Sequence, residues 1–149
     1  MERIAIGSDH AGFAMKEALK QYLTEKGYDV KDFGTDSEAS CDYPDIAFAV
    51  ADCVAAKEAD KGVLVCGTGI GMSMAANKVR GIRAAVVGDA FSAEATRSHN
   101  DANILCMGAR VIDEEKAKEF LEIFLNTPFS EGENHIRRIG KLERSRSEQ

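Results

Sequence analysis

A chain of 149 residues, 44% hydrophobic and 30% charged, has the size and composition of one ordinary globular domain. Its formal net charge of −6, with no basic stripe interleaved with aromatic residues, argues against nucleic-acid binding. No apolar run approaches the length that crosses a bilayer, and the four cysteines lack any paired spacing, which is typical of free thiols in a reducing cytoplasm.

Five short runs of apolar and β-branched residues alternate with longer helical segments. The first run opens the chain, so residues 1–7 read as the start of a strand and not as a signal peptide. Several runs are apolar at successive positions, as expected of strands that are covered on both faces. We predict strands over residues 3–7, 29–33, 62–66, 83–87 and 103–107.

Between these strands, apolar residues recur at the spacing of amphipathic helices, in stripes that begin at Met15, Ile46 and Ala117. Gly27 suits a left-handed helix end, and Asp113 stands where it can cap the last long helix. The alternation predicts a single α/β domain over residues 1–149, with a three-layer α/β/α Rossmann-like architecture. We expect a five-stranded parallel sheet, ligands at the carboxyl ends of its strands, and a helical C-terminal arm over about residues 128–149.

The segment that follows the first strand reads Gly-Ser-Asp-His-Ala-Gly, residues 7–12. It places Asp9 and His10 near a helix N-terminus, where free amides suit an anion or a polarised hydroxyl. The plainer interpretation is that Ser8 or Asp9 only caps the helix and that His10 is an exposed surface residue.

The segment that follows the third strand carries three glycines in five residues, at 67, 69 and 71. Such a loop can turn its amides inward as a nest for negative charge, and Cys66 at its mouth would favour the thiolate form. Met72 stands where a dinucleotide fingerprint needs glycine and a cysteine phosphatase loop needs arginine, and no lysine completes a P-loop. The plainer interpretation makes Cys66 a small core residue beside a tight turn.

Weaker signals come from His99, Arg110 and the C-terminal arm. His99 closes a predicted helix, where a histidine is more often a cap that compensates the helix dipole than a catalyst. In the arm, Arg137 and Arg138 follow a histidine and either clamp a phosphate or form a solvated basic face. Arg110, after the fifth strand, has the same two interpretations.

No metal site is predicted, because the three histidines lie far apart and no metal-binding spacing of histidines or cysteines occurs. We also predict no organic cofactor. Cys53 and Cys106 fall on apolar stretches and are expected in the core, whereas Cys41 is expected in a loop.

Taken together, these segments resemble the family of ribose-5-phosphate isomerase B and galactose-6-phosphate isomerase. The matching motifs run in order over roughly the first 140 residues and include residues 6–12, 42–44, 66–71, 75–78, 81–84, 98–103 and 108–111. The resemblance implies a cytoplasmic, cofactor-free isomerase of carbohydrate metabolism that interconverts ribose 5-phosphate and ribulose 5-phosphate, as in the pentose phosphate pathway.

The resemblance also implies a role for each site residue. Cys66 would carry a proton between C2 and C1, and His99 would open the sugar ring with help from Asp9. Thr68 and the neighbouring backbone would hold the enediolate oxygen. The implied contacts to sugar hydroxyls and phosphate are His10, Tyr43, Gly67, Gly69, Ile70, Gly71, Asn100, Arg110, Arg137 and Arg138.

Family members are dimers or tetramers in which a neighbouring subunit completes the site. The resemblance therefore implies a homodimer or homotetramer with shared sites, in which the C-terminal arm packs on a partner subunit. No nucleic acid or membrane partner is expected.

One departure from the family pattern lies in the arm, where Glu133-Asn134-His135 replaces a frequent Gly-Arg-His. Asn134 cannot supply a phosphate cation, although Arg138 matches the second cation and Arg137 is a substitute. We therefore expect a looser grip on the phosphate. Two alternatives stay open: isomerisation of six-carbon sugars, such as allose or galactose 6-phosphate or free aldoses, and a non-catalytic sugar-phosphate-binding protein.

Overall fold

Five strands and six helices make up the part of the chain that the computed structural model describes, residues 2–144. In chain order they are β1 (Arg3–Ser8), α1 (Phe13–Glu25), β2 (Asp29–Asp32), α2 (Tyr43–Ala55), β3 (Lys61–Cys66), α3 (Ile70–Ala76), β4 (Ala84–Val86), α4 (Ala90–Ser98), β5 (Ile104–Gly108), α5 (Glu114–Asn126) and α6 (Glu133–Leu142). All five predicted strands are present. The fourth covers only residues 84–86 of the predicted 83–87, and the fifth begins at residue 104 instead of 103. The Arg83 amide donates to the side chain of Asn103 and not to a neighbouring strand.

The strands form one parallel sheet in the order β2-β1-β3-β5-β4, which confirms the predicted architecture. The chain leaves β1 toward β2 on one side and continues with β3 on the other. The switch point of the sheet therefore lies between the carboxyl ends of β1 and β3, where ligands bind in folds of this kind. Asp9 follows one of these ends and Cys66 forms the other.

Two apolar layers bury the sheet on both faces. Helices α1, α4 and α5 cover one face, with Leu19 and Phe124 fully buried there. Helices α2 and α3 cover the other face, with Val50 and Met72 fully buried. The three-layer prediction is thus confirmed, and no helix within residues 2–144 has the length and apolar character to cross a membrane.

Two predicted helix ends are also confirmed. Gly27 follows α1 with a φ of 92°, in the left-handed region that glycine adopts without strain. The Asp113 side chain accepts a hydrogen bond from the Lys116 amide at 2.8 Å and so caps α5.

Lys16 is a buried cation that the apolar stripe of α1 did not predict. Its side chain is 1% exposed, and Nζ donates to both carboxylate oxygens of Asp32 and to the Thr35 carbonyl. Burial raises the pKa of Asp32, but hydrogen bonds from Lys16, the Gly34 amide and Lys20 outweigh it and hold that pKa below its ordinary value. The Lys16–Asp32 ion pair therefore holds the start of the loop between β2 and α2 against α1.

Replacing this cation should destabilise the fold in a pH-dependent way. We expect Lys16→Met to lower the free energy of unfolding by about 2–4 kcal/mol at pH 7, because Asp32 keeps its buried charge and loses its main partner. A carboxyl with a lowered pKa in the folded state stabilises the fold above its unfolded pKa and loses this effect on acidification. The difference should therefore shrink as the pH falls below about 4.

Urea unfolding of both proteins at pH 7 and near pH 3 measures this difference. Lys20→Met is the matched control, since Lys20 binds the same carboxylate from a side chain that is 42% exposed. It should cost less than about 1 kcal/mol. Equal losses for the two variants would contradict the assigned role of Lys16.

Candidate active site

The carboxyl ends of β1 and β3 bring two predicted catalytic residues side by side. The Asp9 amide donates to the Val65 carbonyl at 3.2 Å, which extends the pairing of the two strands to the residue before Cys66. This contact places both side chains at the switch point of the sheet, as the strand order requires.

The structure contradicts the interpretation of Ser8 and Asp9 as helix caps. Helix α1 has Gly12 at its N-cap and no side-chain cap. The Asp9 Oδ1 accepts from the Gly12 amide at 3.1 Å, and the residue is 7% exposed. The Ser8 hydroxyl is buried without a hydrogen-bond partner among the described residues. One carboxylate oxygen of Asp9 therefore binds the amide of the N-cap residue, although Asp9 itself is not the cap.

The Cys66 sulfur lies beneath the glycine-rich loop. Its Sγ accepts a hydrogen bond from the Gly69 amide at 3.1 Å, a contact that stabilises negative charge on the sulfur. The residue is 5% exposed and packs on the α2–α3 side of the sheet. The interpretation of Cys66 as a core residue therefore accounts for its burial, but it does not explain the hydrogen bond from the Gly69 amide to its sulfur.

Gly69 and Gly108 let this loop pack tightly on β5. Gly69 has a φ of 83°, and a Cβ atom there would lie 3.0 Å from the Met107 carbonyl carbon. A Cβ atom at Gly108 would lie 2.7 Å from the Thr68 backbone. Any larger residue at either position would push the loop away from the sheet.

Thr68 and Ile70 mark the exposed rim of the loop. The Thr68 hydroxyl accepts from the Ile70 amide at 3.2 Å, which leaves its own proton available to a ligand. The amides of the first turn of α3 face the same edge of the sheet, because α3 begins directly after the loop.

Tyr43 and Arg110 flank the loop on two sides. A Cβ atom at Gly71 would lie 2.7 Å from the Tyr43 ring, so the ring rests on the glycine backbone. Arg110 lies over Gly67, where an added Cβ atom would be 3.3 Å from Nη1 of the guanidinium. The Arg110 amide also donates to the Gly67 carbonyl at 3.0 Å. Gly71 therefore leaves room for the Tyr43 ring, and Gly67 leaves room for the Arg110 guanidinium.

His10 is oriented by the loop between β2 and α2. Its Nδ1 accepts from the Cys41 amide at 3.3 Å. With Nδ1 used as an acceptor, the neutral ring carries its proton on Nε2 and presents a hydrogen-bond donor at this edge of the sheet. Cys41 is a loop residue, as predicted.

His99 and Asn100 lie at the opposite edge of the sheet. Helix α4 starts after the carboxyl end of β4, runs back along the sheet, and ends at His99 just before β5 begins. The five residues of β5 separate the two edges by about 16 Å. Within one chain, the exposed side chains of His99 and Asn100 are therefore remote from Cys66.

The C-terminal arm lies at the same edge as His99. The rings of His99 and His135 stack with centroids 4.5 Å apart and an interplanar angle of 13°. Partial burial, His99 and Arg138 all lower the pKa of His135. Arg137 and Arg138 are exposed on α6, in which no residue is buried. The structure thus groups the predicted site residues in two sets at opposite ends of the strands.

The other buried cysteines are core residues, as predicted. Burial raises the pKa of Cys106, and nearby Cys66 raises it further, so Cys106 stays a thiol. Burial also raises the pKa of Cys53 on α2. Between residues 2 and 144, no group of three or more histidine, cysteine, aspartate or glutamate side chains is arranged to hold a metal ion.

Fold and site together define a three-layer α/β protein with a cysteine and a carboxylate at its switch point. A model of the ribose/galactose isomerase family matches residues 4–142, and the chain belongs to this family. Ribose-5-phosphate isomerase B of Escherichia coli is 45% identical over 139 residues, which are 93% of each chain.

Solved structures of relatives have the same fold. Ribose-5-phosphate isomerase B of Thermotoga maritima is 51% identical, with a TM-score of 0.93 over 95% of this chain and 97% of that one. The Mycoplasma genitalium enzyme, solved with ribulose 5-phosphate bound, is 41% identical, with a TM-score of 0.93 over 99% of this chain and 97% of that one.

Proposed function

We propose that this chain is an aldose–ketose isomerase that interconverts ribose 5-phosphate and ribulose 5-phosphate without a cofactor. The observation that carries the proposal is the hydrogen bond that the Cys66 sulfur accepts from the Gly69 amide, at the switch point beside the Asp9 carboxylate. The relatives named above support the substrate. Membership of a metabolic enzyme family, with no spanning helix in residues 2–144, also favours a cytoplasmic location.

Cys66 is the proton-transferring base in this proposal. The hydrogen on the carbon next to a carbonyl is weakly acidic, so its removal needs a positioned base together with stabilisation of the developing enediolate. The thiolate removes the proton from C2 of the open-chain aldose and returns it to C1, while the hydroxyl proton on O2 moves to O1, so that the carbonyl group moves from C1 to C2. The amides of the 67–71 loop and the Thr68 hydroxyl donate to the enediolate oxygen, in the role of an oxyanion hole.

His99 and Asp9 open the sugar ring before the proton is transferred. Ring opening moves a proton from the anomeric hydroxyl to the ring oxygen, which a histidine can mediate near neutral pH. Asp9 accepts hydrogen bonds from the sugar hydroxyls. Tyr43 and Asn100 bind further hydroxyls.

Hydrogen-bond donors from both groups, the one near Cys66 and the one near His99, bind the phosphate. His10 offers its Nε2 proton, and Arg110 offers the guanidinium that lies over Gly67. Arg137 and Arg138 approach from the exposed face of α6. These donors concentrate positive charge locally in a chain whose net charge is −6.

The residues around Cys66 and the residues around His99 form one site only if a second copy of the chain supplies one of the two groups. A separation of about 16 Å along the strands exceeds the reach of a histidine side chain. We therefore infer a homodimer in which His99, Asn100 and α6 of one copy complete the Cys66 cleft of the other. An isologous pair of this kind makes two equal sites.

Exposed apolar residues support this assembly. Phe91 is 79% exposed on α4, Met74 is 63% exposed on α3, and Val86 is 43% exposed on the edge strand β4. On α6, Ile136 and Leu142 are 53% and 65% exposed. Apolar side chains clustered along a sheet edge and its flanking helices are typical of an interface that is covered in the assembled protein.

The direct test is a coupled assay of both substrates together with deuterium exchange at C2 in heavy water. An enediolate mechanism exchanges this hydrogen to the extent that the Cys66 thiol exchanges its proton with solvent before it protonates C1. Binding of either sugar phosphate without turnover or exchange would favour the non-catalytic alternative instead. Faster turnover of allose 6-phosphate or galactose 6-phosphate would favour the six-carbon alternative.

Phosphate binding should be weaker with Asn134 than with an arginine at the same position. Asn134 and Glu133 are both exposed at the start of α6 and bring no cation to the phosphate. We expect Asn134→Arg to lower the KM for ribose 5-phosphate by about 3–10-fold, since one added charge-assisted contact is worth roughly 1 kcal/mol. The kcat should change little.

Free ribose is the control substrate for this variant, because it carries no phosphate. Asn134→Arg should not improve its kcat/KM, whereas Arg138→Ala should raise the KM for the phosphorylated sugar. An unchanged preference for phosphate in Asn134→Arg would contradict the looser grip.

A further inference from the structure

Arg83 makes the densest set of polar contacts at the edge of the sheet that carries His99. Its Nε donates to the Asn100 carbonyl at 2.9 Å, and its Nη2 donates to the Asp101 carbonyl at 2.8 Å. The same nitrogen lies 3.4 Å from the Asp101 carboxylate, and Nη1 pairs with Glu143 at 2.6 Å. The side chain is 20% exposed, so these contacts are partly shielded from water.

The loop that Arg83 holds has an unfavourable backbone conformation. Asp101 has a φ of 48°, in the left-handed region that side chains other than glycine rarely adopt. Its carboxylate is bound from the other side by Arg97, whose Nη1 lies 2.7 Å away. Two guanidiniums therefore hold one aspartate in this conformation. Arg83 alone also binds the carbonyls of two successive loop residues.

Space next to the loop makes this support necessary. A cavity of about 550 Å³ is lined by Arg83, Asn100 and Glu143, among other residues. The side chains of His99 and Asn100 are exposed and receive their position from the backbone of the loop. Without the guanidinium, the loop could move into the cavity. A shift of about 1 Å at a catalytic group lowers the rate by up to roughly 100-fold.

We propose that Arg83 is a positioning residue, which holds the 99–101 loop so that His99 and Asn100 fit the cleft of the second copy. The proposal rests on the isomerase function and the shared site inferred above. Lysine cannot replace Arg83, because a single ammonium lacks the planar fork that binds two carbonyls and a carboxylate together.

The test uses mixed dimers, formed by co-expressing two differently tagged chains. Arg83→Gln alone should lower kcat/KM by about 10–100-fold. In random mixtures with Cys66→Ala, half of the dimers hold one site with an intact Cys66 and an intact Arg83–His99 loop. Activity should therefore return to about a quarter of the wild-type value. Mixtures of Arg83→Gln with His99→Asn should stay low, because every site then has a damaged loop.

Arg80→Gln is the matched control, since Arg80 is exposed and lies three residues earlier. It should keep wild-type activity. If Arg83→Gln does not fold, Arg83→Lys takes its place with the same expected pattern. A folded variant with wild-type activity, or rescue by His99→Asn in place of Cys66→Ala, would overturn the proposal. Failure of the isomerase function would instead appear as an inactive wild type. Failure of the shared site would appear as no complementation between Cys66→Ala and His99→Asn.

Discussion

Cys66→Ala is expected to lower kcat by at least about 10³-fold and to abolish deuterium exchange at C2, with ligand binding retained. The physical reason is that the variant removes the base and leaves the amides of the loop, Thr68 and Asp9 in place. Those groups can still bind the sugar and stabilise charge, but no group remains to take the proton from C2. Equilibrium binding of ribulose 5-phosphate, measured by calorimetry, should therefore stay within about 3-fold of wild type.

Cys53→Ala is the matched control for this experiment. Cys53 has the same 5% exposure as Cys66, but it lies on α2, and its sulfur accepts no hydrogen bond from any amide within residues 2–144. The control should keep its kcat, although it loses some stability through the small cavity. Turnover by Cys66→Ala at the wild-type rate would remove the cysteine from the mechanism.

Mixing two inactive variants should restore activity. Cys66→Ala destroys one group of residues and His99→Asn destroys the other, and the two groups lie at opposite edges of each chain. In a random mixture, half of the dimers combine an intact Cys66 from one copy with an intact His99 from the other at one of their two sites. The mixture should therefore reach about a quarter of the wild-type activity.

A mixture of Cys66→Ala with Asp9→Asn is the control for complementation. Both of these residues belong to the same group on the same chain, so each site of a mixed dimer carries one damaged residue and neither site is intact. Such a mixture should therefore recover no activity, although its subunits exchange as in the first mixture. No recovery from Cys66→Ala mixed with His99→Asn would place both groups on one chain and refute the shared site.

The sequence determined much of the half of the site that contains Cys66. Strand–helix alternation predicts a parallel sheet, and the carboxyl ends of parallel strands meet at one edge. The residues at or just after the carboxyl ends of β1, β3 and β5 were therefore expected together, as Asp9, Cys66 and Arg110 are in the structure. Local signals suffice here because each residue is fixed by the end of its own strand.

Only the tertiary structure separated His99 from Cys66, stacked it on His135 and joined Arg83 to the loop that follows His99. His135 is 36 residues from His99 and Arg83 is 18 residues from Asp101, and no local pattern encodes a ring stack or an ion pair over such spacings. The same holds for buried Lys16, whose partner Asp32 lies on another element. Local propensity fixes which residues end a strand or a helix, whereas side-chain pairing depends on how the packed layers bring distant elements together.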